Sequence, residues 1–178
     1  KQSISFPVLL APVAGQILFH KQGALAAARA AAAANTIYGV SSSVGHSIEE
    51  AAAASAGPKW FQLYVPKDRA VAKRTVERVE RAGYKALIVT VDLGERKDSD
   101  LRNRFTFPPD VLRKHLRDNG FDLSDRLTYE ELLAFNAQAW DLGFSWDFFD
   151  WLRSITKLPL LIKGVLRAED AKRAVALG

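Results

Sequence analysis

The chain has no cysteine and no methionine among its 178 residues. Without cysteine there can be no disulfide, no thiolate metal site and no cysteine nucleophile, and any redox chemistry must be borrowed from a cofactor. No apolar run comes near the roughly 20 residues that span a bilayer, the stretch 6–14 being among the longest, so no membrane span is expected. No signal-peptide pattern opens the chain. No GxGxxG or GxxxxGK[ST] follows the first apolar run, which argues against an open nucleotide-binding sheet. Also absent are Gly/Ser linkers and blocks of like charge. Net charge is +5, but the 25 Lys and Arg are scattered among 20 Asp and Glu, so nucleic-acid binding is not expected. With no Met anywhere, an apolar run within a few residues of Lys1 and a helical pattern running to Gly178, both ends read as cut.

What the chain does have is ordinary globular composition, 48% hydrophobic, enough for one domain with a sizeable core. Short apolar runs of strand length recur at 8–11, 37–41, 60–64, 86–90 and 160–163. Helical patterns lie between and after them at 24–34, 48–54, 70–82, 146–155 and 168–177. Gly83 and Pro159 mark boundaries, and Ser145 is placed to cap the helix that carries Asp147 in its first turn. Continuous apolar strands alternating with helices predict a parallel sheet covered by helices. One unit takes about 25 residues, except that Thr90 to Lys163 is a step of 73. The excess is an insertion over 93–144, with short helices predicted at 111–117 and 129–139. Five such units point to part of a (β/α)8 barrel rather than to a doubly wound sheet.

In such a barrel, chemistry sits at the carboxyl ends of the strands. There the sequence places Ser41, Gln62, Tyr64, Thr90 and Lys163. Gln62 and Tyr64, two apart on a strand, leave on one face, and a Gln beside a Tyr can read the edge of a flat heterocycle. The blander reading is that Ser41 and Thr90 satisfy loop backbone and that Tyr64 packs. Lys163 ends the run Leu158-Pro159-Leu160-Leu161-Ile162, where an ammonium is costly without an anion or a polar cofactor. It could stabilise a reduced cofactor, form a Schiff base, or simply snorkel.

These blocks resemble the FMN-dependent α-hydroxy-acid oxidases and dehydrogenases, the family of glycolate and lactate oxidases. The likeness runs through Ala11-Pro12-Val13-Ala14, Val40-Ser41-Ser42-Ser43, Trp60-Phe61-Gln62-Leu63-Tyr64, Thr90-Val91-Asp92, Asp100-Leu101-Arg102-Asn103-Arg104-Phe105 with Pro108-Pro109, and Ile162-Lys163-Gly164-Val165. The resemblance implies an incomplete TIM barrel, α/β in class, spanning 1–178 and carrying strands one to five. Pro12, Val13, Ala14, Ser41, Gln62 and Thr90 would contact the flavin of FMN, and Lys163 would lie near the flavin N1 and C2 carbonyl. Tyr64 would reach a small 2-hydroxy-acid substrate, whose carboxylate would be held by Arg96 or Lys97, with Arg96 preferred for its bidentate fork. Ser43 stands where many members carry a bulky residue, leaving room for a larger substrate side chain.

His20, His46 and His115 do not match the family's catalytic histidine, which the resemblance puts about ten residues beyond Gly178. His20 and His46 are expected at the surface. The phosphate-binding loops also lie beyond the chain, so these 178 residues alone are expected to bind FMN poorly and to turn over nothing. For the complete protein the resemblance implies oxidation of an L-2-hydroxy acid to the 2-oxo acid by a cytoplasmic homotetramer, with a peroxisomal address left open. Two other readings stay open: a lyase forming a Schiff base on Lys163, and a non-catalytic half that pairs with another chain through its strand edges.

Overall fold

The computed structural model describes residues 2–93 and 107–178. Four strands, β1 (Tyr38–Ser41), β2 (Lys59–Leu63), β3 (Leu87–Thr90) and β4 (Leu160–Lys163), form one parallel sheet in the order of the chain. A doubly wound sheet reverses its strand order at a switch point. Here neighbours in sequence are neighbours in space throughout, as in the wall of a barrel.

The expected strand at 8–11 is reduced to a single bridge, Leu10 to Tyr38. Leu10 N–H donates to the Ile37 carbonyl and its own carbonyl accepts from Gly39 N–H, 3.0 and 2.8 Å. Pro7 and Pro12 flank this segment, have no N–H to give, and stop the ladder on either side. Gly39 admits the segment at close range, because a Cβ there would lie 2.9 Å from Pro12 Cδ.

Helices α1 (Gly23–Ala33), α2 (Ile48–Ala53) and α3 (Arg69–Arg81) connect or precede the first strands. Two of these three N-termini carry side-chain caps. Ser47 and Glu50 form a reciprocal capping box on α2, and the Asp68 carboxylate accepts from Ala70 N–H on α3. Between β3 and β4 come α4 (Pro109–Asp118), α5 (Tyr129–Ala139) and α6 (Asp147–Ile155), and α7 (Ala168–Ala176) follows β4. Helix α6 begins after Trp146, not after Ser145 as expected. The Ser145 hydroxyl is instead spent on the Asp147 side chain.

Period-two alternation assigns the faces of the strands. Tyr38, Val40, Phe61, Leu63, Leu87 and Val89 are all buried, and they pack with Leu160 and Ile162 against α1, α3 and α6. The opposite face therefore carries Ser41, Gln62, Thr90 and Lys163 at the strand ends. A second cluster, Val71 with Leu112, Leu116, Phe121, Leu123 and Leu132, seats α4 and α5 over the start of α3. The seat is also hydrogen-bonded: Thr75 Oγ1 and Arg78 Nη1 donate to the carbonyls of Asn119 and Asp118, and Asn119 Nδ2 donates to the Ser42 carbonyl. The segment between β3 and β4 thus caps the carboxyl ends of β1 and β2, the end where a barrel does its chemistry.

Candidate active site

Three buried polar side chains join hands across adjacent strands. Ser41 Oγ donates to Gln62 Oε1, and Gln62 Nε2 donates to Thr90 Oγ1, each at 2.9 Å. All three residues are at most 3% exposed. Burying them costs free energy unless they are paired, and the ladder satisfies that demand. It does so incompletely. One Gln62 N–H and the Thr90 O–H are not spent within the ladder, so two donors remain side by side at the strand ends.

Beside the ladder, Lys163 Nζ donates to both carboxylate oxygens of Asp92, at 3.0 and 3.2 Å. Both side chains are about two-fifths exposed, so the pair is partly solvated and contributes little stability by itself. It positions instead. Asp92 lies so close to Gly164 that a Cβ there would fall 2.5 Å from the aspartate Cβ, and Gly164 adopts φ +104, a conformation that L side chains rarely adopt. Lys163 thus reaches the strand ends already ion-paired with Asp92.

The Tyr64 ring meets Trp140 edge to face, centroids 6.0 Å apart. Burial, the largest influence, raises the Tyr64 pKa and keeps the phenol protonated as a hydrogen-bond donor. Val13 and Ala14 are exposed and Pro12 is half-buried, and the segment is tied down where Gly15 N–H donates to the Ser43 carbonyl at 2.6 Å. Arg96 and Lys97 lie outside the described residues.

Tyr64 and Ser43 also line a cavity of about 240 Å³ with Ala14, Val111, His115 and Trp140. Sequence reasoning set His115 aside and did not single out Trp140 or Asp92. Only Asp92 carried a usable signal, an acid two residues past a buried strand-end threonine. His115 Nε2 lies 3.5 Å from Ser43 Oγ, and its Nδ1 is 3.1 Å from Asn119 Nδ2. Of the histidines expected at the surface, His20 is exposed, but His46 is half-buried and its Nδ1 finds no partner among the described residues.

Burial also lowers the His115 pKa, to about 4, with the Ser42 carbonyl pulling weakly the other way. Unfolded, the imidazole titrates near its ordinary value of about 6.5. Between these values the unfolded chain binds a proton that the folded one refuses. The stability His115 contributes is therefore complete above about pH 6.5 and lost as pH falls toward 4. His115→Phe should flatten this part of the acid limb in urea midpoints measured across that range. An unchanged slope would mean that the imidazole is solvated. His46, also lowered by burial, keeps some slope in the variant.

A parallel wall with buried donors at its carboxyl ends and a lysine at the end of the fourth strand has the layout of a barrel's strand-end site. The chain belongs to the FMN-dependent dehydrogenase family, whose model matches residues 2–178. It is 46% identical over 180 residues to glycolate oxidase 1 of Zea mays, and 45% identical to the glycolate oxidase of Spinacia oleracea. These matches cover 98% of the chain but 48% of each relative, so the chain spans about half the length of these curated relatives. Among solved structures it resembles a soluble mutant of the membrane-associated (S)-mandelate dehydrogenase of Pseudomonas putida. The TM-score there is 0.83 with 34% identity, over 99% of this chain and 51% of that one. A lactate oxidase of Pediococcus acidilactici superposes with a TM-score of 0.78 and 30% identity, over 98% of this chain and 45% of that one. The fold is thus α/β and matches about half of a TIM barrel, and FMN is the cofactor the family implies. Among the described residues no helix is long and apolar enough to cross a membrane.

Proposed function

We propose that the protein carrying this chain oxidises a small L-2-hydroxy acid to the 2-oxo acid with FMN. The observation that carries this reading is the buried Ser41, Gln62, Thr90 ladder ending beside the Lys163 cation. Its two unspent donors suit the carbonyl and nitrogen edge of a flavin, and the backbone of Pro12, Val13 and Ala14 suits the flat side of the ring. These are the residues that would hold FMN. When bound, the cofactor supplies the acceptance of two electrons from the substrate carbon.

The chain's own residues would do the rest. Lys163, oriented by Asp92, places positive charge where negative charge develops, an electrostatic contribution that needs no rearrangement during reaction. Tyr64 donates its phenol hydrogen bond to the substrate carboxylate or hydroxyl. Arg96 or Lys97 would bind the carboxylate, the arginine by two parallel hydrogen bonds. The proton is taken by a histidine outside this chain, as the family resemblance implies. Resemblance also supports a homotetramer and a cytoplasmic setting, and helices α4 and α5 act as the cap of the substrate side.

The test is anaerobic mixing of the FMN-loaded full-length protein with a series of 2-hydroxy acids, following the oxidised-flavin absorbance. Bleaching with one or more of them and appearance of the 2-oxo acid are expected. A flavin that no 2-hydroxy acid bleaches would refute the assignment. Borohydride trapping of substrate on Lys163 would support the lyase instead.

A further inference from the structure

We infer that Thr36 and Tyr38 are positioning residues for the flavin: their two buried hydroxyls brace, from either side, the segment whose Pro12, Val13 and Ala14 backbone would meet the flat side of the ring. This rests on the FMN site proposed above.

The segment has little of its own to hold it. Val8, Leu9, Leu10 and Val13 are between 38% and 57% exposed, and none of them joins either apolar cluster. Pro7 and Pro12 have no N–H to give, so pairing with β1 is confined to Leu10. Backbone bonds secure it at Leu10, to Ile37 and Gly39, and again at Gly15, to Ser43. Between those points residues 11–14 make no backbone bond to the described residues.

Two side chains beside and within β1 supply the rest. Thr36 is 3% exposed, and its Oγ1 donates to the Val8 carbonyl, ahead of the stretch. Tyr38 is fully buried, and its phenol donates to Gln16 Oε1 at 2.9 Å, just behind the stretch. Tyr38 belongs to the apolar cluster with Ala24, Ala28 and Val40, where a phenylalanine would fill the same space without taking a hydroxyl out of water. The hydroxyl therefore contributes a position rather than packing. Burial pushes the Tyr38 pKa up to about 12, with the Gln16 bond pulling the other way, so the phenol stays a protonated donor near neutral pH.

The turn that carries Gln16 is itself fixed. Ile17 nests against Gly45, where a Cβ would fall 2.5 Å from Ile17 Cγ2. Strand β1 also carries Ser41, the first member of the buried ladder. One strand thus sets both the side chains that would read the edge of the ring and the backbone that would support its flat side, and the two hydroxyls transmit that register.

The experiment titrates FMN into the full-length protein freed of cofactor, following the loss of free-flavin fluorescence. Tyr38→Phe deletes one oxygen and should weaken FMN binding about 3- to 10-fold, the scale of one hydrogen bond, and Thr36→Val should do the same. Gln16→Met removes the acceptor and should match Tyr38→Phe, and the double variant should lose no more than either single one. Gln16→Glu keeps an acceptor and should retain most of the affinity. In hydrogen exchange of the FMN-free protein, the peptide over 10–18 should lose protection in Tyr38→Phe while that over β2 keeps it.

FMN affinity that Tyr38→Phe leaves in place, or losses that multiply when Tyr38→Phe and Gln16→Met are combined, would overturn the brace. So would a lowered urea midpoint with unchanged affinity, the mark of a purely structural hydroxyl. FMN binding is read without substrate, so the expected pattern in a flavin that no 2-hydroxy acid bleaches would keep the brace and remove the oxidase assignment. A full-length protein that binds no FMN overturns both.

Discussion

Lys163→Met in the full-length protein should slow substrate-driven flavin reduction by on the order of 10²- to 10³-fold, the usual cost of deleting one preorganised electrostatic stabiliser. Methionine keeps the length and apolar stem of the side chain, so strand β4 should pair as before and only the cation is lost. The loss is specific because Lys163 is the residue on the site face of β4 that reaches Asp92, at 3.0 Å, beside the Ser41, Gln62, Thr90 ladder. Lys163→Arg, which keeps the charge on a bulkier group, should recover part of the rate. The decisive comparison is the single-turnover rate of flavin bleaching together with FMN affinity. A rate within a few-fold of the unmodified protein would show that Lys163 only snorkels to solvent.

Phe148→Ala should be the most damaging core substitution, lowering stability by about 3–5 kcal/mol. Phe148 is fully buried on α6. Its ring packs against Phe144, Phe149 and Trp151, with centroids 5.1, 5.9 and 5.5 Å away, and the Arg69 guanidinium lies 4.4 Å from its centre. Removing it opens a cavity behind the sheet and takes one of the two aromatic faces from Arg69, whose Nη1 already has no hydrogen-bond partner among the described residues. Native domains have only about 5–15 kcal/mol to lose, so the variant should show a sharply reduced urea midpoint and loosened FMN. A shift below about 1 kcal/mol would mean that α6 repacks freely.

The two substitutions separate the layers of the molecule. Lys163→Met acts on the site face of β4 and should spare the urea midpoint. Phe148→Ala acts on the helix-covered face and should lower stability first and FMN binding as a consequence. If both lowered activity and stability together, the two faces would be coupled more tightly than the alternation of the strands implies.

The alternation of strand and helix, the parallel sheet, the place of Ser41, Gln62, Thr90 and Lys163 at strand ends and the face shared by Gln62 and Tyr64 were legible from the chain alone. Each rests on local rules: runs of apolar residues of strand length, and the period of two that sends every second side chain to the same side. The strand expected at 8–11 was not so determined, because its hydrophobicity says nothing about whether prolines at 7 and 12 leave enough donors to pair. Nor could sequence show that Asp92 and Lys163, 71 residues apart, hold each other, or that Gly164 is glycine to let them.

The cavity is the clearest case of tertiary control. Ser43, Tyr64, His115 and Trp140 have no periodic relation to one another, and His115 by itself reads as an ordinary helical histidine. They meet because α4 and α5 bury a private apolar cluster against Val71 and, in doing so, turn the histidine and the tryptophan over the ends of β1 and β2. Local sequence sets which face a side chain takes on its own element. Which elements then close over that face is decided by long-range packing, where the apolar surface of one segment finds the only neighbour able to bury it.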